Sequence, residues 1–146
     1  MGKEKANAIL REILTGRGIA GEAAVAEFLS PRPRLTHDPL LLPDMEAGAD
    51  FLLSAAREGR RICIYGDYDA DGVLGTALLW LFLKELGGDV SYYIPSRTFE
   101  GYGLNTGALQ KLRDQGAEVV VTVDCGSVSV DEVSFAKSIG LEIMIT

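Results

Sequence analysis

Apolar positions recur along this chain with two periods, and the switches between them outline the elements. Met45, Ala49, Leu52 and Ala56 fall on one face, which predicts a helix from an Asp44 cap to about Arg57, ended by Gly59. Arg61-Ile62-Cys63-Ile64-Tyr65 predicts a short strand. Val73 to Leu86 is apolar on nearly all sides, so it predicts a buried helix, stopped by Gly87-Gly88. Val90 to Ile94 predicts a second strand, and Pro95 to Gly103 a polar loop. Asn105 can cap a helix reaching Gln115, with Ala108, Leu109 and Leu112 facing inward. Glu118 to Val123 is β-branched and apolar on both faces, as a central parallel strand should be. Val130 to Ile139 predicts another helix, and Leu141 to Ile145 starts a fourth strand. Strand and helix alternate, which predicts the α/β class with a parallel sheet flanked by helices.

The first 43 residues read differently. Lys3 to Leu14 predicts a helix stopped at Thr15-Gly16, and Gly21 to Leu29 a second, shorter one. Pro31, Pro33 and Pro39 then impose an extended, irregular segment. Residues 1–43 are therefore expected to be a helical and extended appendage, and 44–146 the first part of the core domain.

Composition supports a soluble globular chain: 146 residues, 47% hydrophobic and 24% charged. No apolar run is long enough to span a bilayer, and the N-terminus leads into no signal-like core. A cytoplasmic location with no membrane partner is the expectation. Cys63 and Cys125 sit inside apolar runs without metal-type spacing, so both are expected to be buried reduced thiols. The net charge of −7 argues against a general polyanion-binding surface. It leaves room for a nuclease, because an acidic metal site contributes negative charge that ions offset locally.

Chemistry concentrates in Gly66-Asp67-Tyr68-Asp69-Ala70-Asp71-Gly72. Carboxylates at alternate positions repel one another, and a hard divalent cation relieves that repulsion through oxygen ligands. Gly66 and Gly72 let the backbone bend around an ion, and the following helix offers its N-terminal amides to a phosphate. Asp71 can equally cap that helix, and Asp67 and Asp69 can be turn residues. A P-loop is excluded, since Gly-Lys-Ser/Thr is missing. Asp124 follows the buried third strand in a second loop, where Gly126 and Ser127 can present N–H or hydroxyl groups to a phosphate. Both loops fall at strand carboxyl ends, where ligands bind in such sheets.

Gly66 to Gly72 resembles the first motif of the DHH phosphoesterases, and Val123-Asp124-Cys125-Gly126 the second. Three further stretches resemble the RecJ branch of that family. They are His37 to Met45, Tyr93-Ile94-Pro95-Ser96-Arg97, and Glu100-Gly101-Tyr102-Gly103-Leu104. The resemblance implies an incomplete DHH-type core. It also implies hydrolysis of single-stranded DNA from its 5′ end with Mn²⁺ or Mg²⁺ in a two-ion site. Roles in recombination and repair, beside replication or repair proteins, follow from the same resemblance. Asp69 and Asp71 match the metal-binding acids of the first motif, and Asp124 the acid that bridges two ions. These three are the expected catalytic acids. Asp67 matches an acid that some relatives replace, and is ranked as a further metal ligand. The family's third motif, Asp-His-His, is expected after the strand 141–145, but the sequence ends at Thr146. The single histidine, His37, lies in the Pro-rich segment and is expected to be a turn or packing residue. A truncated piece with weak metal binding and little activity alone is therefore expected.

Arg97 is the candidate for a substrate phosphate contact, because a planar guanidinium suits phosphate oxygens. An ordinary surface charge is the alternative. Tyr102 can stack on a base or pack in the core. Three other functions stay open: a nanoRNA or cyclic-dinucleotide phosphodiesterase, a non-catalytic nucleic-acid-binding scaffold of the same fold, and a nucleotide-binding module.

Overall fold

A computed structural model describes residues 3–30 and 37–146. Of the segment expected to be extended, 31–36 lies outside the described residues. Contacts divide the chain into two compact units, Met1–Pro43 and Asp44–Thr146. The first unit contains helices α1 (Lys3–Gly16) and α2 (Glu22–Phe28) and a single 3₁₀ turn at Pro39–Leu41. Asp38 caps that turn by accepting from the Leu40 amide at 2.9 Å. Leu14 is buried, and Arg11 and Glu22 approach to 3.9 Å with both side chains mostly in solvent, a weak pair.

The second unit alternates strand and helix as the pattern predicts. It runs α3 (Met45–Arg57), β1 (Ile62–Gly66), α4 (Ala70–Glu85), β2 (Val90–Tyr93) and α5 (Thr106–Asp114), then β3 (Val119–Val123), α6 (Val130–Ser138) and β4 (Glu142–Met144). All strand pairs are parallel, in the order β2-β1-β3-β4. The expected α/β class with a helix-flanked parallel sheet is borne out.

Alternation along the two central strands makes two cores. Ile62, Ile64, Val119 and Val121 pack with Leu52, Ala55 and Ala56 of α3 and Leu83 of α4. Cys63, Tyr65 and Val120 pack with Ala108, Leu109 and Leu112 of α5 and Ala136 of α6. β1 and β3 are thus covered on both faces, and each fully buried aliphatic side chain contributes about 1.5–3 kcal/mol relative to exposure.

Three expectations need correction. Asp44 stands before α3 in a left-handed conformation, φ 57°, and its side chain makes no capping bond. Helix α4 begins at Ala70, not Val73, because Asp69 is its cap and accepts from the Gly72 amide at 3.0 Å. Nor is α4 buried all round: Leu83 and Thr76 are buried, whereas Leu74, Leu78, Leu81 and Phe82 are exposed. The sheet covers one side of this helix, and among the described residues nothing covers the other. Among the described residues no helix is long and apolar enough to cross a membrane.

Candidate metal centre

β1 and β3 are neighbours in register, with Gly66 opposite Val123. The two acidic loops therefore leave the sheet side by side, and the Asp67 amide donates to the Val123 carbonyl at 3.2 Å. Carboxylate oxygens of Asp67, Asp69 and Asp124 come within 4.8 Å of one another. Asp67 is buried, 3% exposed, and its Oδ1 finds no hydrogen-bond partner among the described residues. A buried carboxylate oxygen without a partner is costly, and a hard cation would supply the missing interaction. Both the donor set and the orphaned oxygen fit a divalent ion.

Close approach of β1 and α4 makes this geometry possible. A Cβ on Gly66 would lie 2.0 Å from Thr76 Oγ1, and one on Gly72 would lie 2.6 Å from the Asp67 carbonyl oxygen. These glycines were expected to supply backbone freedom; neither has a positive φ, and what they supply is space. The non-glycine residue of the site in the left-handed region is Asp124, at φ 61°. Tyr102 secures it by donating its hydroxyl to the Asp124 carbonyl at 3.2 Å.

Asp71 is not brought into the carboxylate trio. It lies in the first turn of α4, where its charge still acts on Asp124. Desolvation, then the negative charges of Asp69, Asp71 and Asp67, then a hydrogen bond with Asp69, push the Asp124 carboxyl above its usual range. Asp67 is the acid the sequence ranked last, yet it is the buried member of the trio.

Arg97 is exposed, and its guanidinium lies 5.3 Å from the centre of the Tyr68 ring. Tyr68, between Asp67 and Asp69, therefore ties Arg97 to the first acidic loop. Sequence reasoning passed over Tyr68, because its partner lies on another loop. In the second loop Gly126 is buried and Ser127 exposed. Tyr102, 64% exposed, does not belong to the core. His37 is exposed. Cys63 and Cys125 are both buried and free. Burial pushes each thiol up to about 11, which makes them poor nucleophiles at neutral pH.

The family model described as "DHH family, N-terminal domain" matches residues 61–146, the stretch that carries both acidic loops. The chain belongs to the DHH family. Among its relatives, the single-stranded-DNA-specific exonuclease RecJ of Bacillus subtilis (strain 168) is 36% identical over 138 residues, covering 94% of this chain and 18% of that protein. RecJ of Escherichia coli (strain K12) is 39% identical over 106 residues, 72% of this chain and 18% of that protein. The crystal structure of RecJ from Thermus thermophilus in complex with Mn²⁺ superposes with a TM-score of 0.65 at 30% identity, over 92% of this DHH chain and 20% of that one. An exonuclease RecJ bound to manganese gives a TM-score of 0.66 at 36% identity, over 80% and 29%. The chain thus spans less than a fifth of the length of those two sequence relatives.

Proposed function

We propose that this DHH chain supplies the first part of a two-ion active site that hydrolyses phosphodiester bonds in single-stranded DNA from the 5′ end, in recombination and repair. The observation that carries this reading is the trio Asp67, Asp69 and Asp124, with a buried carboxylate oxygen that lacks a partner among the described residues. Support for the substrate comes from the relatives, which are named as single-stranded-DNA-specific exonucleases. Two related structures are described with manganese, which favours Mn²⁺, with Mg²⁺ as the chemically similar alternative. A cytoplasmic setting beside replication or repair proteins fits that role.

In this mechanism Asp67, Asp69 and Asp124 hold the cation, and Asp71 adds negative charge from the first turn of α4. The chemistry such an ion supplies is polarisation of the scissile phosphate and acidification of a water. Asp69 also caps α4 through one of its oxygens, which fixes the carboxylate in place. Arg97 steadies a substrate phosphate from the rim, its guanidinium held against Tyr68. Gly126 and Ser127 offer backbone N–H and hydroxyl groups on the side of the second loop. The chain alone is proposed to hold metal weakly and to have little activity.

Two measurements test the reading. Calorimetric Mn²⁺ titration of the chain is expected to show binding that Asp67→Asn and Asp124→Asn each abolish. A chimera carrying residues 61–146 in place of the matching segment of the B. subtilis relative is expected to degrade 5′-labelled single-stranded DNA. Asp124→Asn in that chimera is expected to lower the rate by about two orders of magnitude or more, as loss of a metal ligand would. Unchanged Mn²⁺ affinity in both variants, or a chimera that cleaves as well with Asn at 67, 69 and 124, overturns the assignment.

A further inference from the structure

Glu100 takes no part in the metal cluster and touches none of its carboxylates, yet it is held by more partners than an idle surface acid needs. Its Oε2 accepts from the Ser96 amide at 2.8 Å. Its Oε1 accepts from the hydroxyl of Tyr93, the last residue of β2. In the reverse direction the Ser96 carbonyl accepts from the amides of Glu100 at 2.8 Å, Phe99 at 3.2 Å and Gly101 at 3.3 Å. Ser96 and Glu100 thus close a ring of bonds across the turn, and Tyr93 fastens that ring to the sheet. The Lys111 ammonium, 5.2 Å from the Tyr93 ring centre, adds a cation on the same side.

The two ends of this loop are the groups that meet the acidic cluster. Arg97 follows Ser96 directly and stacks on Tyr68. Tyr102 comes two residues after Glu100, and its hydroxyl holds the Asp124 carbonyl. Between them Phe99 is 89% exposed, so packing does not hold the middle of the loop. The ends are held at buried Pro95 and at Gly103, whose carbonyl accepts from the Tyr65 hydroxyl at 3.0 Å. The middle is held by the backbone bonds to Ser96 and by the bonds to the Glu100 carboxylate, and charge-assisted bonds are about twice as strong as neutral ones.

We propose that Glu100 is a positioning residue that clamps the 95–103 loop, so that Arg97 and Tyr102 stand at the rim of the metal cluster in the arrangement that receives a phosphodiester. It acts through Arg97 and Tyr102 and does not touch the substrate. The inference rests on the phosphodiesterase reading above.

The test compares Glu100→Ala, Tyr93→Phe, Arg97→Ala and the double variant E100A/R97A in the full chain. Amide hydrogen exchange at Ser96, Mn²⁺ affinity and affinity for a 5′-phosphorylated hexathymidylate in the presence of Mn²⁺ are measured for each. Expected for Glu100→Ala are loss of Ser96 protection, Mn²⁺ affinity within about twofold of the parent, and oligonucleotide affinity lower by about tenfold, the worth of one charge-assisted bond. Tyr93→Phe should move the same readouts in the same direction by less, which covers the case of an E100A chain that does not fold. Adding Glu100→Ala to Arg97→Ala should weaken binding by less than Glu100→Ala does alone, because the Arg97 share of its effect is already gone and only the Tyr102 share is left to lose. Unaltered Ser96 protection in Glu100→Ala, additive losses in the double variant, or a parallel fall in Mn²⁺ affinity overturns the proposal. A parent chain that binds Mn²⁺ but no oligonucleotide leaves the clamp to be decided by Ser96 exchange, whereas a chimera that binds Mn²⁺ but does not cleave the 5′-labelled strand overturns the phosphodiesterase reading instead.

Discussion

Gly72 and Gly107 are both glycines inside helices, and adding a methyl group to each should have opposite effects. At Gly107 the nearest atom to a new Cβ is Asn105 Oδ1, at an ordinary 3.5 Å. Alanine there gains helix propensity, so Gly107→Ala is expected to stabilise by up to about 1 kcal/mol. At Gly72 the new Cβ meets backbone and Cβ atoms of Asp67 at 2.6–2.8 Å. Backbone cannot step aside as a flexible side chain can, so Gly72→Ala is expected to destabilise by about 1–3 kcal/mol despite the better propensity. Urea midpoints of the two variants check the signs, and a stabilised Gly72→Ala would show that β1 and α4 are not pressed together at the acidic loop. The same close approach explains what was legible at this scale. A row of alternating aspartates announces a metal loop, and Asp124 after a buried strand announces its partner. The ranking within the row is not written there. The helix starts at Ala70, one residue beyond Asp69, and this carries Asp71 into the first turn while Asp67, still on the strand side, is buried. Where a helix begins depended on which aspartate wins the cap, and three candidates stood within five residues.

At the scale of elements, the periods in the sequence placed each strand and helix of the second unit to within about three residues, the usual uncertainty of boundaries. They failed on the surroundings of α4. A helix apolar all round is normally enclosed, but a period shows only what a helix could bury, not how many neighbours are there to bury it. Leu83, 1% exposed, faces the sheet; Leu78, 72% exposed, faces away. Leu83→Ala is therefore expected to cost about 2–5 kcal/mol, as a buried leucine does. Leu78→Glu in the same chain is expected to change stability by less than about 0.5 kcal/mol, as exposed sites do. Denaturant titration of both decides the matter, and a large loss in Leu78→Glu would mean that this face is covered in solution. The loop after β2 was legible as a loop and as part of a family resemblance. Its internal clamp was not, because Tyr93, Ser96 and Glu100 meet only once the turn is closed.

Over the whole molecule the negative charge and the site are one problem. The net charge is −7, and the trio with Asp71 concentrates part of it at two strand ends. Without an ion these carboxylates work against the fold: desolvation and its three acidic neighbours raise the Asp124 carboxyl, so its ionised form at neutral pH is disfavoured in the native state. A raised carboxyl binds its proton more tightly folded than unfolded. Stability in the absence of metal should therefore be greatest at low pH within that window and fall as pH rises through the raised range. Replacing the charge by a neutral amide of similar shape removes the repulsion at every pH. Asp124→Asn is thus expected to raise the melting temperature of the metal-free chain at pH 7, and to flatten this acid-side dependence. Mn²⁺ should reverse the order. An ion that binds only the folded chain stabilises it by about 2.7 kcal/mol at a concentration one hundred times its Kd, equivalent to a melting shift on the order of 5–10 °C for a chain of this size. The parent should show that shift and Asp124→Asn should not, so that the variant is the more stable protein without Mn²⁺ and the less stable one with it. Thermal melts with chelator and with saturating Mn²⁺ measure both halves. A variant less stable than the parent under both conditions would mean that Asp124 holds the loop together, with no cost in repulsion for a metal to relieve.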